Sequence, residues 1–275
     1  MLRVAVVTPY YKERSEVLLK CHESVLGQTY SCQHFLVADG HPSQIFGNIP
    51  NHIILPQANG DNGNTPRAIG GILADSYGYD AVAYLDADNW YEPTHIANLV
   101  AAYERNRTPL VCSKRLFCDM EGRMLAITEP AEDANRHVDT SSWLVFRPAF
   151  ALLSAWLMPK VLGPFCDRIF LLKAIHDRFR ITFLDVRTVV FRTSYVLHYR
   201  AAGLPAPVGA KGWEEFNETK AHLSNPAVIA ELVAKLGFYV TEELEARPET
   251  FVRRLLRKYL DASSFSVAVP SRVEG

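Results

Sequence analysis

Ala81-Val82-Ala83-Tyr84-Leu85-Asp86-Ala87-Asp88-Asn89-Trp90-Tyr91-Glu92-Pro93 decides how this chain is read. An apolar run of buried-strand type ends in two carboxylates one residue apart, then an aromatic pair and a proline able to open a helix. Residues i and i+2 of a strand point to the same face, so Asp86 and Asp88 stand together at the strand's carboxyl end. That end is where open α/β sheets bind ligands. Two carboxylates so close repel unless a cation or a hydroxyl-bearing ligand lies between them. Oxygen-only ligation suits Mg²⁺ or Mn²⁺, which share their shell with substrate phosphates. A solvated Asp-x-Asp turn before a helix cap is the plainer alternative.

Outward from this stretch the chain alternates strand and helix. Arg3 to Thr8 is a continuous apolar strand, and Ser15 caps a helix whose apolar positions Val17, Leu18, Cys21, Val25 and Leu26 share one face before Gly27. His34 to Ala38 and His52 to Leu55 are short strands. Thr65 caps a further helix with Pro66 at its first position. Such alternation predicts a mostly parallel, doubly wound central sheet flanked by helices, with its loops gathered on one edge.

The second half is less regular. A helix is predicted over Pro93 to Asn106 and a strand over Leu110 to Ser113. Leu116 to Cys118 pairs with Arg123 to Thr128 as a hairpin. Ser142 to Phe146 is a strand, Pro148 to Trp156 a helix, Cys166 to Arg178 a helix, and Ile181 to Val190 contains a strand. Gly203, Pro205, Pro207 and Gly209 give the composition of a mobile lid. From Trp213 the chain reads as mostly helical. The expected organisation is a catalytic domain over 1–210, divided near 113 into nucleotide-binding and acceptor halves, and a helical cap over 211–275.

Composition bounds the partners. The chain has 275 residues, 48% hydrophobic and 21% charged, which suits one soluble domain with an appendage. A formal net charge of -1 gives no electrostatic case for nucleic acid. Cys21, Cys32, Cys112, Cys118 and Cys166 form no Cys-x-x-Cys pair, so they read as buried thiols in a reducing compartment. With no signal-like segment and no apolar run of spanning length, the expectation is a cytoplasmic protein.

Ordered motifs over roughly the first two hundred residues resemble family 2 glycosyltransferases of the GT-A fold. Val6-Val7-Thr8-Pro9-Tyr10-Tyr11 is similar to the family's opening strand and nucleotide loop. Ser24-Val25-Leu26-Gly27-Gln28-Thr29-Tyr30 resembles its Ser-hydrophobic-x-x-Gln-Thr-Tyr helix end, and Val37-Ala38-Asp39-Gly40 stands at its Asp-Asp-Gly-Ser turn. Asp61-Asn62-Gly63 with Arg67-Ala68-Ile69-Gly70 resembles the Asn-x-Gly and Arg-Asn-x-Gly pair. Leu85-Asp86-Ala87-Asp88 falls at the metal motif, and Gly163-Pro164-Phe165-Cys166-Asp167 where the family carries Glu-Asp. Ala38 and Cys166 depart from this pattern, each replacing an acid. The Gln-x-x-Arg-Trp motif of the processive members is missing.

The resemblance implies an inverting transfer of a single sugar from a nucleotide-sugar donor, a UDP-sugar first, assisted by Mn²⁺ or Mg²⁺. Thr8, Pro9 and Tyr10 would line the nucleoside pocket, with Asp39 near the base and Arg67 facing the diphosphate. Asp88 would bind the metal, with Asp86 and Ala87 beside the ribose and Asp86 also near a metal-bound water. Asp167 would deprotonate the acceptor, with Asp139 the next carboxylate to test. His198 would complete the metal shell. Each residue has a plainer alternative: Tyr10 and Tyr11 as packing aromatics, Arg67 as a solvated helix residue, Asp167 as a partner of the helix dipole, His198 as a structural strand-end histidine.

The acceptor stays open: a saccharide, a lipid-linked molecule or a small molecule. A sugar-phosphate nucleotidyltransferase would share the sheet and the cation, but the Gly-rich loop it needs after the first strand is missing. A non-catalytic sugar-nucleotide-binding module is the other rival. Glu249 to Leu260 is predicted as a helix with Phe251, Leu255, Leu256 and Tyr259 on one side and Arg253, Arg254, Arg257 and Lys258 on the other. It would dock on the domain, join a homodimer, or meet the inner face of an anionic membrane.

Overall fold

The computed structural model of the protein describes residues 1–47, 49–128, 137–212, 214–237 and 266–267. Its elements run Val4–Tyr10 (β1), Ser15–Leu26 (α1), Cys32–Ala38 (β2), His52–Ile54 (β3), Asn64–Ser76 (α2) and Ala81–Tyr84 (β4). Next come Trp90–Tyr91 (β5), His95–Asn106 (α3), Leu110–Cys118 (β6), Met124–Leu125 (β7) and Ile127–Thr128 (β8). Trp143–Phe146 (β9) leads through a 3-10 helix, Arg147–Trp156, to Cys166–His176 (α4), Ile181–Arg192 (β10) and Val196–Ala201 (α5). Glu214–His222 (α6) and Pro226–Leu236 (α7) follow.

The main sheet has the order β3-β2-β1-β4-β9-β6-β10-β5, with β7 paired to β6. Strands β3, β2, β1 and β4 are parallel, as the alternation predicts. Strand β9 then enters antiparallel between β4 and β6, and β10 returns parallel to β6. A sheet so placed is covered on both faces, which is why its strands read as unbroken apolar runs. Along β1, Val4 and Val6 pack with Cys21, Val25, Ile96 and Leu99 on one side. Ala5 and Val7 pack with Phe35, Val37, Ala68, Leu152 and Trp156 on the other. Full burial of each such valine or leucine contributes about 1.5–3 kcal/mol before entropy is charged against it.

Gly70 lets α2 lie flat on this sheet. A Cβ there would stand 2.5 Å from Val7 Cγ1 and 3.0 Å from Val37 Cγ2, so any side chain must push the helix away.

Several local expectations change. Helix α2 starts at Asn64, ahead of the predicted start, with Gly63 and not Thr65 at its cap; Thr65 N and Oγ1 both donate back to Asp61 Oδ2 at 2.9 and 2.6 Å. The predicted helix from Pro148 is a 3-10 segment broken at Ala149, whose φ of -111° leaves the helical region. His198 lies on α5 and not at a strand end. The predicted lid forms a loop whose neck is tied by Val196 N donating to Lys211 O (3.0 Å) and Lys211 N to Ser194 O (2.7 Å). The hairpin through Asp119–Gly122 stands as β6 and β7. Leu223, Leu232 and Leu236, around α6 and α7, are buried in the main core. The helix predicted over 249–260 lies outside the described residues.

Among the described residues no helix is long and apolar enough to cross a membrane. All five cysteines are free thiols, and burial raises the Cys32, Cys118 and Cys166 thiols to about 11, 12 and 12.

Candidate functional site

A cavity of about 830 Å³ opens over the carboxyl ends of β1, β2 and β4, and the start of α4 and the 195–212 loop complete its walls. Its lining includes Pro9, Tyr10, Asp39, Arg67, Asp86, Ala87, Asp88, Asp167 and His198, so one space gathers nearly every residue singled out from sequence.

Beyond β4 the alternation continues. Leu85 N donates to Val7 O at 3.0 Å, Leu85 and Ala87 are buried, and the carboxylates between and after them turn to the cavity. The turn is pinned by Ser141, whose Oγ accepts from Asp86 N (3.1 Å) and from Asn89 Nδ2 (3.0 Å). The cation beside Asp86 is Arg67. Its Nη2 donates to Asp86 Oδ1 at 2.6 Å, while Nη1 donates to Asn62 O and Asn64 Oδ1 at 3.0 and 2.8 Å. Gly63 makes room for this arginine. Its φ is +77°, and a Cβ would lie 2.9 Å from Pro9 Cγ and 3.5 Å from Arg67 Nη2.

Asp88 makes no ion pair among the described residues and opens to the cavity. Protein packed around it, then the like charges of Asp86 and Glu13, push its carboxyl up to about 7. Solvent reaching it from the cavity screens that repulsion without removing it. A hard divalent cation fits here: the set offers oxygen donors only, one carboxylate already neutralised and the other crowded by like charge, with room for phosphate oxygens. Among the described residues no group of three or more His, Cys, Asp or Glu stands together to hold a metal ion. His198 lines the same cavity as Asp86 and Asp88. Its Nδ1 is bonded to Thr193 Oγ1 at 2.6 Å and its ring is held 4.8 Å from that of Phe117.

On the nucleoside side one expectation fails. Thr8 is fully buried beneath the pocket, its Oγ1 bonded to His34 Nε2 at 2.8 Å and near Cys21 Sγ at 3.8 Å. Strand β1 is covered on both faces there, so its side chain has no route to the cavity. Tyr10 reaches the lining but is 2% exposed, with its hydroxyl bonded to His52 Nε2 (2.6 Å) and to Ser43 N (2.9 Å). Tyr11, also on the lining, is 40% exposed and edge-on to His41 at 4.7 Å. Asp39 is spent largely on its own loop: Oδ1 accepts from Asn59 N and Nδ2 at 2.9 and 2.7 Å, and Oδ2 from Gly60 N at 3.1 Å.

At the far end, Asp167 sits in the first turn of α4 with 14% of its side chain exposed. His137 Nε2 meets its Oδ2 at 2.7 Å, and Arg168 donates to Oδ1 from its backbone N (2.7 Å) and Nη1 (2.9 Å). Asp139, from the same segment as His137, pairs with buried Arg115 at 2.7 Å and caps the turn through Ser141 N at 2.9 Å. Burial raises the Asp139 carboxyl against the pull of Arg115, and Asp86 and Asp167 add to the rise. Sequence reading missed Glu13, Arg115, His137 and Arg168. The signal for His137 was available in His137-Val138-Asp139, a polar-apolar-polar triplet whose outer members share a face.

A family model described as glycosyl transferase family 2 matches residues 5–155. No curated protein matches the sequence. Among solved structures, residues 1–349 of S. aureus TarS in complex with UDP are similar, with a TM-score of 0.53 and 14% identity, covering 95% of this chain and 81% of that one. The same region in complex with UDP-GlcNAc gives a TM-score of 0.55 at 13% identity, covering 95% and 80%. A longer TarS structure gives 0.53 at 15% identity, of which the match covers 48%. This likeness shows a shared fold.

Proposed function

The chain belongs to glycosyl transferase family 2, and from that premise we propose that it moves one sugar per encounter from a nucleotide-sugar donor to an acceptor hydroxyl, with inversion and with the help of a divalent cation. One observation carries the reading: Asp86 and Asp88 at the end of β4 and Asp167 at the start of α4 line the same cavity. Chemistry on a nucleotide sugar needs a diphosphate end and a proton-accepting end at that spacing of roles.

Pro9 and the exposed ring of Tyr11 form the nucleoside wall, backed by Tyr10, while Asp39 holds the 59–60 loop that borders it. Arg67 orients Asp86 beside the ribose and diphosphate. Asp88, with Asp86 beside it, would hold Mg²⁺ or Mn²⁺, which would supply Lewis-acid stabilisation of the departing diphosphate. Asp167 takes the proton of the acceptor hydroxyl as its oxygen attacks the anomeric carbon and the nucleoside diphosphate leaves from the opposite face. A catalytic domain over 1–210 with a cap beyond it suits this division, and a homodimer or a membrane face remains a proposal resting on the cap.

TarS is seen with UDP and UDP-GlcNAc, which puts uridine donors first in the test. The protein is incubated with UDP-, GDP- and dTDP-sugars with and without Mn²⁺, and thermal shift and donor hydrolysis are measured. One donor class should raise Tm in a cation-dependent way. No shift and no hydrolysis with any of them would overturn the proposal.

A further inference from the structure

We propose that His137 is a positioning residue for the transfer reaction, acting through Asp167; this rests on the reading of Asp167 as the base. A carboxylate that accepts a proton in an in-line attack must present one oxygen at a fixed angle, and a free aspartate rotates about two side-chain bonds. Here both oxygens are held. Arg168 grips Oδ1 from its backbone N and its guanidinium, at 2.7 and 2.9 Å, and so fixes one end of the carboxylate. His137 meets Oδ2 at 2.7 Å and stops rotation about the axis that Arg168 leaves open.

Burial separates the holders from the held. The side chains of His137 and Arg168 are 2% and 4% exposed, against 14% for Asp167, so although all three border the cavity the carboxylate is the most open of them. The clamp itself is set by the triplet His137-Val138-Asp139. Val138 is 1% exposed and packs into the main core, which turns its two neighbours to the opposite side. Asp139 is then tied to Arg115 at 2.7 Å, and that buried pair anchors the segment on β6.

The test compares three substitutions in the full chain, with kcat and KM for donor and acceptor measured separately. His137→Ala should lower kcat by about 10- to 100-fold, the scale of a misplaced catalytic group, with donor KM within about twofold. His137→Gln carries an amide N–H to the Nε2 position and should recover most of that loss. His137→Asn places its amide at the Nδ1 position and should not. Donor-induced thermal shift reports folding of each variant. The decisive arm is His137→Ala in an Asp167→Asn background, where a residue acting through Asp167 adds no further loss. Equal kcat for wild type and His137→Ala, equal rescue by Gln and Asn, or multiplying losses in the double variant would each overturn the proposal. If Asp167→Asn alone keeps more than about a tenth of the wild-type rate, the reading of the base has failed instead.

Discussion

At the β4 end of the cavity, Asp86, Ala87 and Asp88 are consecutive residues that follow a buried strand, and Asp86 is bonded by Arg67 from 19 positions away and by Ser141 from 55. At the α4 end, Asp167 is held by His137 from 30 positions away, and Asp139 by Arg115 from 24. One end is a strand terminus whose geometry follows from its own alternation. The other is assembled from separate segments and tied by buried ion pairs. The difference implies that the donor end should tolerate loss of the acceptor end's chemistry, while the acceptor end should be sensitive to single broken pairs.

The largest expected effect falls on chemistry alone. Asp167→Asn preserves volume and an acceptor for Arg168 but cannot take a proton, so transfer should drop by about two to four orders of magnitude. Donor and cation affinity should stay near wild type by calorimetry; a parallel loss of donor binding would break the division between the two ends.

Next comes the buried pair behind the acceptor end. Asp139→Leu removes the carboxylate 2.7 Å from buried Arg115, and stability should fall by about 3–5 kcal/mol in urea melts. The double change Arg115→Met with Asp139→Leu should recover much of this, because two matched apolar side chains need no partner. A single variant as stable as wild type would show that the pair does not hold the segment.

At the donor end a packing change sharpens the contrast. Gly70→Val forces a side chain against Val7 and Val37 and should cost about 1–3 kcal/mol, with donor affinity falling as α2 carries Arg67 away from Asp86.

How much of this was legible from sequence follows the same divide. The first strand, the α2 helix with Arg67 and Gly70, and the Asp86-Ala87-Asp88 terminus are each coded by a short periodic stretch, so pattern and motif found them together. Thr8 misled because a strand covered on both faces gives no polar-apolar alternation to say which side chains are reachable. Nor did it say that Tyr10 is buried on the lining while Tyr11 is exposed. His198 was read as a strand end because β10 runs straight into a short helix with no breaker between them. The clamp on Asp167 and the Arg115–Asp139 pair depend on tertiary contact, and no local spacing encodes a partner 24 or 30 residues away.

A smaller effect is expected from acid. Burial holds His34 well below the usual histidine range and lowers His95 to about 3, so both stay neutral in the folded protein. The unfolded chain binds their protons below pH 6.5 or so, hence stability is full above that range and declines as pH falls toward 3. Each should remove about 1 kcal/mol between pH 7 and 5.5 in urea melts. His34 lies under β1 through Thr8 Oγ1, so the donor end should loosen first, seen as weaker donor binding before global unfolding. Stability that is flat or rising over this interval would contradict the burial of these rings.

The most direct test of the account is calorimetry of a UDP-sugar with and without Mn²⁺, on wild type and on Asp88→Asn. Asp88 is the carboxylate at the donor end that Arg67 does not neutralise, and the substitution keeps its size while removing the charge a cation needs. Wild type should bind the donor more tightly with Mn²⁺, and Asp88→Asn should lose both the cation dependence and that added affinity. Unchanged affinity in the variant, with no response to Mn²⁺ in either protein, would contradict the assignment of the β4 end as the cation-assisted donor site.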